Sequence, residues 1–321
     1  MSLAPGFERL AVHAMGTRFE MALAGASPVD LRSAGEAAFE EVLDLHARWS
    51  AFDPGSLLTR VNRLAAGRAV PVDGETFAVL ELARTLWRAT DGAFDPTVGA
   101  VMRAHGFRGT RPFLDAEISI ENRGREESPE SATPFPGMAA VELDRSAGTV
   151  RFLDRRVELD LGALAKGFAL DRVGESLREN GVPCALVHGG TSAVIAIGSP
   201  PDSDGWPIAL DRDGRVPSVR LCDAALAVSA GHGRVVEDGA ARKGHVLDPA
   251  TLDPAPIDRF AAVVTDSAAE ADAWATAWLV TDLSSRTPAE LSVLAGRAED
   301  GAPVEVAYRI DPRGCFSSLA E

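Results

Sequence analysis

The stretch Val157-Glu158-Leu159-Asp160-Leu161-Gly162-Ala163-Leu164-Ala165-Lys166-Gly167 decides the fold. It is strand-like through Leu161, turns on Gly162-Ala163 and leads into a helix whose expected C′ glycine is Gly181. Strand-like runs at Cys184–Val187 and Ala193–Ile197 flank Gly189-Gly190, and another closes on Asp211-Arg212-Asp213-Gly214. Short strands and turns fill Val216 to His245. Ala261–Thr265 then reads as a strand, Asp266 as an N-cap and Ala268 to Val280 as a strongly apolar helix. On the N-terminal side, Val12 to Ala22 reads as a strand holding the turn-like Met15-Gly16-Thr17. Asp30 reads as the N-cap of a helix through Arg48, with Leu31, Ala34, Ala38, Val42 and Leu45 on one face. A loop at Ser50–Gly55 precedes a short segment from Ser56 to Asn62. Glu75 to Ala89 is a second amphipathic helix ending in Thr90-Asp91-Gly92, and Val141 to Leu153 is a hairpin turning at Ser146-Ala147-Gly148. Residues 121–137, rich in Glu, Arg, Ser and Pro, are expected to form a mobile surface loop. Strands and helices mixed without regular βαβ alternation predict an α+β fold, one composite domain over residues 1–321.

With 321 residues, 46% hydrophobic and 25% charged, the chain has the make-up of a globular protein with a substantial core. Its 47 acidic residues outweigh 32 basic ones, for a net charge of −15. That field opposes a phosphate backbone, so no nucleic-acid partner is expected. An anionic ligand here needs a local cation, a metal ion or a ring of backbone N–H groups. No run approaches about 18 apolar residues, so no transmembrane segment is expected. No basic-then-apolar leader opens the sequence; the chain as it stands is expected to be cytoplasmic, and exported or membrane-anchored if a natural leader has been removed. Cys184, Cys222 and Cys315 are widely spaced without a CxxC, which indicates neither a disulfide framework nor a zinc site. Lys166 and Lys243 are the only lysines among the 32 basic residues, so each invites a question about its role.

Asp272 and Thr276 are four apart and share a helix face. A carboxylate and a hydroxyl form a hard-oxygen pair suited to Mg²⁺; the alternative is that Thr276 bonds back to the Asp272 carbonyl while Asp272 faces solvent. Asp160-to-Lys166 places an acid before a small-residue turn and a cation in the first helical turns, as an anion site would, or as a plain tight turn with a surface Lys would. Gly189-Gly190 admits a close ligand approach or is a simple turn. His245, three residues before Asp248-Pro249, is a candidate acid, base or positioning group, or a structural histidine. Ala227-Val228-Ser229-Ala230-Gly231 approximates a nucleophile elbow, but no helix-forming run follows it, which argues against a serine hydrolase.

Seven blocks, taken in order, resemble the FAD:protein FMN transferase (flavin transferase, ApbE) family. They are Met15-Gly16-Thr17; Phe52 to Ser56 with Asn62; Asp91 to Thr97; Asp160 to Gly167; Gly189-Gly190; His245 to Pro249; and Ala271 to Thr276. The resemblance implies an α+β fold related to the tunnelling fold, with FAD as donor and Mg²⁺. It implies an FAD site lined by Met15, Phe52, Ala93, Phe94, Asp95, Asp160, Lys166 and Leu247. Mg²⁺ would be held by the Ala163 carbonyl, Asp272 and Thr276, and His245 would be the acid/base group. The implied reaction moves FMN from FAD to a Thr or Ser hydroxyl of a target protein and releases AMP. This chain departs from the family pattern at Thr191, at Val228-Ser229-Ala230-Gly231 and after Pro249. The alternatives are an FAD-binding protein without transferase activity, and a pyrophosphatase giving FMN and AMP.

Overall fold

A computed structural model describes residues 7–25, 27–107, 134–210, 216, 218–232, 235–238, 241–297, 305–311, 313, 315 and 316. Its centre is one antiparallel sheet. The sheet runs, in spatial order, β1 (Glu8–Ala14), β2 (Thr17–Ala24), β6 (Cys184–Gly189), β7 (Ala193–Ile197), β10 (Ala225–Ala230), β13 (Arg259–Thr265), β14 (Ser292–Arg297) and β15 (Glu305–Ile310). Among the described residues six α-helices accompany it: α1 (Pro28–Trp49), α2 (Leu57–Leu64), α3 (Gly74–Ala89), α4 (Gly99–Ala104), α5 (Ala165–Glu179) and α6 (Ala268–Val280). Three small sheets complete the described structure: β3 (Val70–Pro71) with β5 (Thr149–Phe152) and β4 (Val141–Asp144), β8 (Trp206–Ile208) with β9 (Val219–Leu221), and β11 (Val235–Asp238) with β12 (Ala241–Gly244). The fold is α+β.

The central strands of the main sheet are buried on both faces, which is why they read as continuous apolar runs, whereas β1 alternates between buried and exposed positions. Ala185, Val187, Ile195, Ala227 and Val263 face α1, α5 and α6 in the larger core. Their alternating neighbours Leu186, Ala196, Leu226 and Val264 face a second core under Trp206, Val219 and Phe316.

Helix boundaries follow capping chemistry. Ser27, not Asp30, is the N-cap of α1, its hydroxyl accepting from the Asp30 N–H, and the expected inward stripe from Leu31 to Leu45 is buried. Ser267, not Asp266, caps α6, accepting from the Glu270 N–H. Gly181 closes α5 with φ +71°. Val12 to Ala22 is two strands rather than one: a two-residue turn at Met15 (φ +50°) and Gly16 (φ +72°) reverses the chain. Val157 to Leu161 is extended but forms no ladder. It is tied to the preceding segment by Glu158 N–H to Thr97 O (3.2 Å) and Asp160 N–H to Pro96 O (2.6 Å). The Asn62 amide clamps Leu159, accepting its N–H at 2.7 Å and donating to its C=O at 2.9 Å. The strand expected to close on residues 211–214 ends at Ile208, and 211–214 lie outside the described residues. So do residues 121–133 of the expected mobile loop; Gly137 begins a 3₁₀ turn.

Candidate active site

α5 meets the start of α6 where α5 can carry no side chain. A Cβ on Gly167 would lie 2.2 Å from the Ala268 carbonyl oxygen, so glycine alone permits this approach. Asp171, one turn further along α5, then caps α6 directly. Its carboxylate accepts from the Ser267 hydroxyl (2.7 Å), the Ala268 N–H (2.6 Å) and the Ala269 N–H (3.0 Å). Burial pushes the Asp171 carboxyl above the ordinary carboxylate range, against the pull of those donors.

This crossing sets Lys166 against Asp272. The Lys166 ammonium donates to Asp272 Oδ2 at 3.2 Å and to the Gly162 carbonyl at 2.9 Å. Asp272 is only 3% exposed, so it does not face solvent. Thr276 does bond back to the Asp272 carbonyl (2.9 Å), and its hydroxyl also meets Ser229 Oγ at 3.2 Å. Ser229 ends a strand and precedes no helix, so the nucleophile-elbow geometry is absent there. Lys166 is thus a partner of Asp272 as well as a cation in the cavity wall.

One cavity of about 2,100 Å³ is lined by all twelve residues singled out from the sequence: Met15, Phe52, Ala93, Phe94, Asp95, Asp160, Ala163, Lys166, His245, Leu247, Asp272 and Thr276. Their depths differ. Phe52 is 68% exposed at the end of α1, while Phe94 (2% exposed) belongs to the core beneath the wall. Asp95 is buried and saturated: Oδ1 accepts from the Thr97 N–H (2.8 Å) and hydroxyl (2.6 Å), and the Trp87 side chain and Met138 N–H donate as well. Burial outweighs these donors and pushes the Asp95 carboxyl up to about 6. Asp160 accepts from the Gly162 N–H at 2.7 Å, which shapes the turn into α5. His245 leads into a closed loop in which Asp248 N–H bonds Asp253 O (2.8 Å) and Ala255 N–H bonds Val246 O (2.8 Å). At the Gly189-Gly190 turn the close neighbour is protein: a Cβ on Gly190 would meet Thr17 Oγ1 at 2.3 Å.

Two contributors were not singled out from the sequence. His46 of α1 accepts the Met15 N–H through Nδ1 at 3.2 Å, fixing the strained hairpin turn from a residue 31 positions away. Asp171 carried one legible signal, an acid in mid-helix one turn beyond Lys166.

The donor set fits a hard divalent cation that brings its own oxygens. Asp272 is one buried carboxylate paired with Lys166, whose ammonium also meets the Gly162 carbonyl, and the hydroxyls of Thr276 and Ser229 meet each other beside the Asp272 backbone carbonyl. Among the described residues no group of three or more His, Cys, Asp or Glu side chains could hold a metal unaided. A Mg²⁺ ion held here would rely on waters and on ligand phosphates, as Mg²⁺ commonly does.

Residues 15–290 match the ApbE family. The FAD:protein FMN transferase of Rhodobacter capsulatus is 31% identical over 279 residues, 84% of this chain, and the chain spans half of that relative's length. The FAD:protein FMN transferase of Treponema pallidum is 28% identical over 263 residues, covering 76% of this chain and 71% of the relative. The crystal structure of the ApbE protein of Thermotoga maritima superposes with a TM-score of 0.78 at 26% identity, covering 94% of this chain and 96% of that one. That of the flavin transferase ApbE from Vibrio cholerae, at 21% identity, shares the fold with a TM-score of 0.76 over 97% and 100% of the two chains.

Proposed function

The chain belongs to the ApbE family, and on that premise we propose that it transfers FMN from FAD to a Thr or Ser hydroxyl of an acceptor protein, releasing AMP, with Mg²⁺ at the diphosphate. The observation that carries this reading is the buried Asp272 carboxylate, set against Lys166 in the wall of a cavity that also holds His245. A dinucleotide diphosphate entering beside Asp272 and Asp160 meets negative charge on a chain already at −15. Lys166 supplies one positive charge and a divalent ion supplies the remainder. At about 2,100 Å³ the cavity exceeds the 300–1,000 Å³ of an ordinary small-molecule pocket, leaving room for a long donor and a second reactant.

Asp272, Thr276 and the Ala163 carbonyl would hold Mg²⁺, which when bound neutralises phosphate charge and polarises the phosphoryl group. Met15, Phe52, Ala93, Asp160 and Leu247 bind and orient the donor, and Phe94 and Asp95 support the wall from beneath. The acceptor oxygen attacks the FMN-side phosphorus and forms a new P–O bond. The P–O bond to the bridging oxygen breaks, that oxygen leaves with AMP, and His245 takes the hydroxyl proton.

The test is incubation with FAD, Mg²⁺ and protein acceptors bearing Thr or Ser, followed by mass spectrometry. An FMN adduct on a hydroxyl residue is the expected result. AMP and free FMN without an adduct would replace transfer by hydrolysis, and intact bound FAD would leave a binding protein only.

A further inference from the structure

The cavity continues past the twelve motif positions onto the other face of the sheet. β1 and β2 turn Leu10, Val12, Phe19 and Met21 toward the helix side, so Arg9, Ala11, Arg18 and Glu20 point the opposite way. Over Ala196 of β7, Leu226 of β10 and Val264 of β13 that far face is covered by β8 and β9, while Val194 at the other end of β7 lines the cavity. Over the β1–β2 hairpin no strand among the described residues covers it, and Arg9, Ala11 and Arg18 are exposed. Of the described residues of that cover, Pro207–Leu210 stand next to the hairpin. This edge, together with Glu20, His188 and Val194, lines the same cavity as Lys166 and Asp272.

The result is a groove floored by β1, β2, β6 and β7. Three strand spacings of about 4.8 Å make the floor roughly 14 Å wide, which admits a single polypeptide segment but not a folded domain. A polar line crosses it. Arg18 Nε lies 2.8 Å from Glu20 Oε1, Glu20 Oε2 lies 3.3 Å from His188 Nε2, and His188 Nδ1 lies 2.9 Å from the Gly190 carbonyl. A second anionic ligand would be repelled by Glu20. Peptide N–H and C=O groups, by contrast, can use both signs of charge, so the chemistry favours polypeptide.

We infer that this groove is the acceptor channel: it takes one segment of the flavin-accepting protein and delivers its Ser or Thr hydroxyl to the Asp272 end of the cavity. The inference rests on the transferase reading above, and the experiment separates the two. Ala11→Trp fills the groove from an exposed position, and Glu20→Arg breaks the polar line without adding bulk over Ala11. The probes are FAD, and a pool of synthetic twelve-residue peptides each holding one Thr or Ser.

Both variants should keep the parent melting temperature and an FAD dissociation constant within about twofold, while kcat/KM for peptide labelling falls by about tenfold or more through KM. Peptide labelling at the parent rate in both variants would overturn the channel. So would weakened FAD binding in Ala11→Trp, which would give the groove to the donor. A parent that labels intact proteins but no peptide would overturn the single-segment assignment alone. A parent that labels nothing would end the transferase reading, and the channel with it.

Discussion

Lys166 Nζ stands 3.2 Å from Asp272 Oδ2, joining the second residue of α5 to the fifth of α6 across 106 positions of sequence. Three features enforce that contact: the bare backbone of Gly167, the Asp171 cap and the apolar faces of both helices. The contact gives one cavity wall a carboxylate and an ammonium in register, and the first predictions address it.

Asp272→Asn keeps the shape of the side chain and removes its charge. The Mg²⁺ concentration giving half-maximal turnover should rise on the order of tenfold or more, because the site loses its one carboxylate. Lys166 retains the Gly162 carbonyl, so far-ultraviolet circular dichroism should stay that of the parent. Parent-level turnover at limiting Mg²⁺ would remove Asp272 from the metal site. Thr276→Val should act in the same direction with smaller effect.

Gly167→Ala tests the crossing itself. The new methyl group would lie 2.2 Å from the Ala268 carbonyl, so α5 and α6 must separate. The expected cost is about 1–3 kcal/mol in urea denaturation, the range for overpacking a close contact. Turnover should fall as well, since the separation draws Lys166 away from Asp272. An unchanged urea midpoint would show that the two helices are not in contact at this point.

His245→Asn should bind FAD about as tightly as the parent and lose turnover by roughly 10²-fold or more, the scale of removing a general base. Weakened FAD binding with unchanged turnover would make His245 a binding residue, and no change in either would end its role.

Asp95 gives a pH prediction. Its carboxyl is held at about 6 in the folded chain against 3.8 without the fold, so the native state binds a proton that the unfolded state releases across that interval. Stability from this group is therefore present below pH 4, lost as pH rises to 6 and flat above, a change of roughly 3 kcal/mol. Asp95→Asn should abolish that slope. Denaturation of both proteins between pH 4 and 7.5 measures it; parallel curves would refute the buried, proton-holding Asp95.

The order of blocks from Met15 to Thr276 carried the family, the fold class and the candidate site into view, and the inward stripe of α1 from Leu31 to Leu45 was legible from spacing alone. Where sequence and structure differ, the cause is local. Asp30 and Asp266 have the chemistry of caps because acids suit a helix start, yet Ser27 and Ser267 sit where a hydroxyl reaches the N3 amide. The apolar Val157–Leu161 resembled a strand because periodicity cannot tell a ladder from an extended segment clamped by one Asn62. His46 and the partnership of Lys166 with Asp272 left no pattern, since contacts between residues 31 and 106 positions apart exist only after the sheet has assembled them.

That same separation orders events during synthesis. A growing chain that has emerged as far as β13 already holds Asp160, Lys166 and His245, yet it lacks Asp272, Thr276 and the helix that Asp171 caps. Asp171 then has no amides to receive, and the ammonium of Lys166 has no carboxylate opposite. The cavity wall is complete only when the segment after Thr265 folds back over α5, so a fragment ending at Thr265 lacks the side of the cavity that faces Lys166.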